Sequence, residues 1–342
     1  MNEQLQQALA EAQEPFADSR FNVCRLEIAE EGGRVHLRGT VLDEATRTAV
    51  LAHLRQHLPG ITLAGDDVQV LRQSQPRLMA VTTNLTGLQR EPSWLGEQQS
   101  QLLNGTVVEI LEPGERWSFG RLEDGYLGYV YTGYLGAAGG AAEPTHVVSA
   151  PVARLQAAPD IGAPLVGRVL GGTRVAAVGR GEWAEVNLAG GLCGYTAAAD
   201  LRPLPITAAA VARRAQLIAD ALPYIGVPYL WGGVSAHGID CSGFAQLMHK
   251  LAGVAIPRDA DMQYAAGQPV EPPYAAGDLL YFGGSGGHRD ISHVGISLGP
   301  EYHPQGWRMI HSGRSRNGVY IDDVQMVDSL RESFQRARRF VL

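Results

Sequence analysis

Two stretches of this chain repeat one another, and the repeat limits the possible folds more than composition does. Leu88-Gln-Arg-Glu-Pro92 returns as Leu155-Gln-Ala-Ala-Pro159, and Gly105-Thr106 as Gly172-Thr173. Trp117 returns as Trp183, and Gly128-Tyr129 as Gly194-Tyr195, so the offset of 67 residues slips only to 66 near the tryptophans. A unit of this length must bury a small core of its own beside its copy. Each copy reads as short strands, Gly-rich turns and one aromatic-anchored hairpin, which predicts a small barrel without long edges. The copies differ at one loop. The second has Ala189-Gly-Gly-Leu-Cys-Gly-Tyr195, whereas the first has Leu122-Glu-Asp-Gly-Tyr-Leu-Gly-Tyr129, which adds the Tyr126 hydroxyl and acidic neighbours at a loop tip. The first copy also carries Glu97, which taken alone is an ordinary solvated carboxylate.

The 342 residues leave room for domains on either side of the pair. With 42 glycines and 19 prolines, turns and short strands are expected to dominate outside the ends. A formal charge of −7 and the lack of any polybasic cluster argue against a nucleic-acid partner. The first residues have neither a charged leader nor an apolar run, and no stretch is long enough to span a bilayer. A cytoplasmic protein without membrane insertion is expected, with a processed secreted form left open. Cys24, Cys193 and Cys241 are odd in number and widely spaced, which fits neither a disulfide framework nor a zinc site. Cys24 and Cys193 fall in strand-like runs and read as small core hydrophobes. No metal and no organic cofactor is indicated.

Cys241 is different. It lies in Gly238-Ile-Asp-Cys-Ser-Gly-Phe244, where the apolar residues Phe244, Leu247, Met248 and Leu251 have helical spacing and stop at Gly253. The cysteine therefore opens a core-packed helix, where unpaired backbone N–H groups and the helix dipole favour the thiolate. Asp240 is placed to cap that helix and, with Ser242, flanks the nucleophile within reach of a substrate. Downstream, His293 opens the alternating run His-Val-Gly-Ile-Ser-Leu298 and His311 follows Arg308-Met-Ile, so each belongs on a strand. A cysteine, a histidine base and a third polar group that orients it form the general pattern of thiol hydrolases. His288 and His303 flank the same region in loop-like sequence and are the alternatives.

Tyr229-Leu-Trp-Gly-Gly233, Asp240-Cys-Ser-Gly243, Pro257-Arg-Asp259, Gly277-Asp-Leu279, His293-Val-Gly-Ile296 and Ile310-His311 together resemble the ordered motif set of the NlpC-type, papain-like cell-wall cysteine peptidases. The two repeats resemble bacterial SH3-like domains. With the pair in front, the architecture is similar to the subgroup of γ-D-glutamyl-L-diamino acid endopeptidases, also called dipeptidyl-peptidase VI. Residues 1–75 carry Val35-His-Leu-Arg-Gly-Thr-Val41, a helix over 44–58 capped by Asp43, and Pro59-Gly-Ile61, a loose resemblance to BON domains. The expected fold is therefore α+β and multidomain. It comprises a small αββαβ domain at 1–75, SH3-like barrels at 78–140 and 145–204, and a papain-like catalytic domain at 207–342 that starts with a helix capped by Thr207 and ends in a short helix over 329–337.

The resemblance implies Cys241 as nucleophile, His293 as its base and His311 as the group that orients the base. It implies the Tyr229 hydroxyl as an oxyanion donor beside the Cys241 amide, and Trp231 as a wall of the cleft. It further implies that Asp259, Glu97 and Tyr126 receive the free α-ammonium of a murein tripeptide or tetrapeptide. The family often has Ser after that Asp, and here Ala260 stands instead. The implied reaction is hydrolysis of the γ-D-Glu to L-diamino-acid bond in peptides with a free N-terminal L-Ala, in murein peptide recycling. Two other readings are an amidase or transpeptidase on the same triad, and a cell-wall peptide-binding protein with an idle catalytic domain.

Overall fold

The computed structural model describes residues 2–31, 34–61, 63–138, 142–284 and 290–341. His288 lies outside the described residues. The chain divides into two compact units, residues 1–79 with 107–132, and residues 80–106 with 133–342.

The first unit begins with helix Asn2–Gln13, strands Cys24–Glu31 and Arg34–Val41, helix Glu44–His57 and strand Leu63–Val70, the αββαβ order expected from the sequence. Asp43 caps the second helix, its carboxylate accepting from the Thr46 amide at 2.9 Å. The first two strands are antiparallel and the second and third parallel, as a helical crossover requires. Leu5, Leu9, Leu37, Val50 and Leu54 fill the space between sheet and helices. A second cluster joins Val23, Leu42 and Leu71 to Leu111 and Leu127. The last two come from a meander of strands Val107–Glu112, Trp117–Arg121 and Leu127–Tyr131. Arg72 pairs with Glu109 at 3.0 Å, and the Leu127 amide donates to Arg20 O at 2.8 Å.

The second unit holds the hairpin of strands Leu85–Gln89 and Gln98–Leu103, the second repeat and the cysteine-bearing domain. The second repeat is a seven-stranded sheet in the order Leu165–Leu170, Val152–Gln156, Cys193–Ala197, Trp183–Asn187, Arg174–Arg180, His146–Val148, Leu201–Pro203. This order has two ends, so the closed barrel predicted from the repeat is corrected to an open, curled sheet. The two strands at one end are only three residues long, too short to carry a closing ladder, and a register shift at Leu155/Gln156 bends the other end. Cys193 also departs from expectation. Burial alternates along its strand, with Gly194 and Thr196 inward, so Cys193 faces out and is exposed, while Cys24 is half-buried.

Helix Cys241–Leu251 lies on a six-stranded antiparallel sheet ordered Gln268–Val270, Phe334–Arg339, Leu279–Gly283, Ile291–Ser297, Arg308–Gly313, Gly318–Asp323. Phe244, Leu247, Met248 and Leu251 bury the helix against Tyr281, Val294, Ile296 and Ile310. Each such side chain contributes about 1.5–3 kcal/mol relative to exposure. Two boundaries differ from the sequence reading. Helix Ala210–Ala221 starts after Ala209, without a side-chain cap, rather than at Thr207. Helix Asp328–Ser333 is shorter than expected, because Phe334–Arg339 pairs with Leu279–Gly283 as a strand.

Candidate active site

Asp240 fixes where the cysteine helix begins. One carboxylate oxygen accepts from the Gly243 amide at 2.6 Å, the other from the Gly232 amide at 2.9 Å. Arg258 grips both oxygens, at 3.1 and 2.7 Å, and donates further to Ser242 Oγ at 2.9 Å and Ser100 Oγ at 3.1 Å. The pair is almost fully buried. Such a pair adds little net stability, but removing Arg258 would strand a buried carboxylate at a cost of about 3–5 kcal/mol. The side-chain oxygens of Asp240 and Ser242 are engaged with Arg258, the loop and the helix. Gly243 is required by close approach, since a Cβ there would stand 2.1 Å from Gly233 O.

Cys241 is 8% exposed. Burial, and then the charge of Asp240, push its thiol up to about 12, against the pull of the Val294 and Ser242 amides and of Arg258. The helix start alone predicts a thiolate. Here desolvation opposes it.

His293 and His311 come from adjacent strands, Ile291–Ser297 and Arg308–Gly313. His293 Nε2 lies 2.7 Å from His311 Nδ1, and His311 Nε2 lies 3.3 Å from Asp322 Oδ2. Arg316 holds the other Asp322 oxygen at 2.8 Å. A carboxylate only accepts, so His311 Nε2 carries the hydrogen toward Asp322 and its Nδ1 accepts from His293 Nε2. That leaves Nδ1 of His293 as its basic nitrogen. Burial and the neighbouring His311 lower the His293 imidazole to about 3, although one edge of the residue stays open.

Tyr229 is half-buried, and burial followed by the charges of Cys241 and Asp240 pushes its hydroxyl up to about 12, which keeps it a donor. Trp231 is 46% exposed. Its indole donates to Glu97 Oε1 at 2.9 Å, and Arg90 donates to Glu97 Oε2 at 3.1 Å. Asp259 is buried at the start of helix Ala260–Ala266. Tyr126 belongs to the first unit, where it is 3% exposed and its ring stands edge-on to Phe21 at 5.4 Å. His303 Nδ1 accepts from the Gln305 amide at 3.2 Å in its own turn. Among the described residues no cluster of three or more His, Cys, Asp or Glu side chains could hold a metal.

Sequence reasoning missed five residues. Asp322 completes the histidine line, Arg258 locks Asp240, and the Arg314 guanidinium lies 5.4 and 5.2 Å from the ring centroids of Tyr229 and Trp231. Gln101, on strand Gln98–Leu103, accepts from the Val234 amide at 3.0 Å and Ser235 Oγ at 2.9 Å, while Gln98 donates to Trp231 O at 3.1 Å. Only Arg258 had a signal, its place inside the Pro257-Arg-Asp259 motif.

Residues 226–338 match the model of the NlpC/P60 family, and residues 88–135 that of the bacterial dipeptidyl-peptidase Sh3 domain. The gamma-D-glutamyl-L-lysine dipeptidyl-peptidase of Bacillus subtilis (strain 168) is 42% identical over 29% of this chain and 31% of its own length. The same-named protein of Bacillus cereus (strain ATCC 10987 / NRS 248) is 34% identical over 34% of each, so the match spans about a third of these relatives. Dipeptidyl-peptidase 6 of Lysinibacillus sphaericus is 28% identical over 71% of this chain and 90% of its own. The crystal structure of an NlpC/P60 family protein from Bacillus cereus ATCC 10987 shares the fold, with a TM-score of 0.65 over 78% of this chain and 100% of that one at 22% identity.

Proposed function

We propose that this chain, whose residues 226–338 match the NlpC/P60 family, is a peptidoglycan peptidase that hydrolyses the γ-D-Glu to L-diamino-acid bond of murein peptides bearing a free N-terminal L-Ala. The observation that carries the reading is the line His293, His311, Asp322 on the sheet that packs against the Cys241 helix. The dipeptidyl-peptidase names of the relatives support the choice of bond.

In this mechanism His293 Nδ1 takes the Cys241 proton as Sγ attacks the γ-carbonyl carbon. Burial disfavours a bare thiolate in this site, so proton transfer accompanies attack. The Cys241 amide and the Tyr229 hydroxyl donate to the oxyanion. The C–N bond then breaks as the imidazolium protonates the leaving α-amine of the diamino acid, leaving a thioester. Water attacks it, His293 takes one proton, the thiol recovers its own, and L-Ala-γ-D-Glu departs. Asp259 and Glu97 supply negative charge for the α-ammonium. Recycling of murein peptides in the cytoplasm is the setting proposed for this activity.

Incubation with L-Ala-γ-D-Glu-L-Lys and its N-acetylated twin tests the proposal. Rapid release of lysine from the free peptide alone, lost in Cys241→Ala, is expected. Equal cleavage of both would remove the free-amine requirement, and cleavage of neither would favour a peptide-binding role.

A further inference from the structure

We propose that Arg314 is the receptor for the free α-carboxylate of the substrate's D-glutamyl residue, an assignment that rests on the peptidase reading above. Arg314 lies in the turn between strands Arg308–Gly313 and Gly318–Asp323. Its guanidinium rests beside the rings of Tyr229 and Trp231 and pulls on the Tyr229 hydroxyl. Among the described residues it has no carboxylate partner, whereas Arg258 and Arg316 each have one. Two aromatic faces orient a cation without neutralising it, so the fork is held open for a planar anion.

The order of groups matches the order of charges on the acyl half of the substrate. L-Ala-γ-D-Glu carries, in sequence, an ammonium, the α-carboxylate and the side-chain carbonyl that is attacked. Along the protein, Glu97 bonds the Trp231 indole, Arg314 spans Trp231 and Tyr229, and Tyr229 pairs with Ile239, two residues before Cys241. A carboxylate bound among Glu97, Asp240 and Asp259 needs a cation, and Arg258 is already committed to Asp240.

The test compares kcat/KM on L-Ala-γ-D-Glu-L-Lys, its D-isoglutamine analogue with an α-carboxamide, and its lysine C-terminal amide. The protein is expected to prefer the α-carboxylate over the α-carboxamide by roughly tenfold or more, as loss of a charge-assisted pair implies. Arg314→Met should bring that ratio to about one, and Arg314→Lys should keep part of it. A uniform loss on all peptides in Arg314→Met would make Arg314 merely structural and overturn the assignment. So would lost discrimination at the lysine carboxylate alone, which would put Arg314 on the leaving side. Calorimetry on Cys241→Ala with L-Ala-γ-D-Glu and its α-carboxamide separates the two proposals. Preferential binding of the carboxylate, abolished by adding Arg314→Met, upholds Arg314 even if no peptide is cleaved. Equal affinity for the two dipeptides rejects it.

Discussion

Asp322 decides which nitrogen of His293 is basic, through a histidine it fixes at 3.3 Å. An asparagine there could donate to His311 Nε2, reversing both tautomers and placing the His293 hydrogen on Nδ1. Asp322→Asn is therefore expected to lower kcat on the tripeptide about a hundredfold with little change in KM, and Asp322→Glu to recover part of it. Imidazole proton resonances should report the exchanged tautomers, and an unaltered kcat would remove Asp322 from the line. The sequence showed Cys241, His293 and His311 in their elements because each sits in a local pattern, a helix start or an alternating strand. Asp322 had no such mark: it is one of two adjacent aspartates at the end of a strand, and only the pairing of His311 with Tyr320 across the ladder brings it to the histidine. Arg314 was equally silent, being a turn residue whose meaning comes from two rings more than eighty positions earlier.

Strand Gln98–Leu103 and the Tyr229–Asp240 loop meet backbone to backbone. Gly232 has φ +74°, and a Cβ there would stand 2.4 Å from Gln98 O. Gly232→Ala is expected to cost about 1–3 kcal/mol in backbone strain alone and to move Trp231 off Glu97. A drop in the melting temperature together with reduced peptide cleavage is the expected outcome; an unshifted melt with normal cleavage would show that the loop yields without consequence. At this scale local propensity and tertiary pairing diverge. Helix Cys241–Leu251 was readable because its apolar stripe and its cap agree. The end of the chain was not, since Phe334-Gln-Arg-Ala-Arg-Arg339 suits a helix until Leu279–Gly283 offers it a ladder. The barrel expectation failed for a related reason: the repeat fixed the strands and turns, but closure depends on end strands whose length no periodicity reveals.

Across the whole chain, acid should act through buried imidazoles. His249 is wholly buried in the cysteine helix, with Nδ1 2.9 Å from Ala245 O. Burial lowers it to about 4, as it lowers His293 to about 3. Both pKa values lie below the ordinary 6.5, so the unfolded chain takes up these protons first. Stability from each group is complete above about pH 6.5 and is lost as pH falls toward the folded value. Urea unfolding should show His249 contributing about 2 kcal/mol of loss between pH 7 and pH 4.5. His249→Gln should flatten the profile by that amount, and parallel profiles for the two proteins would place the acid sensitivity elsewhere.

The hydrogen bonds that join Gln98, Ser100 and Gln101 with Trp231, Arg258, Val234 and Ser235 also set an order in time. A ribosome delivers residues 98–101 more than a hundred positions before the cysteine loop, so this strand can be waiting when the loop emerges. The nascent Val234 amide and the Arg258 side chain then find acceptors already in place. A version of the chain that begins after the second repeat would leave the tunnel without that template. It would have to satisfy the same buried donors with water, in the very loop that sets where Cys241 stands.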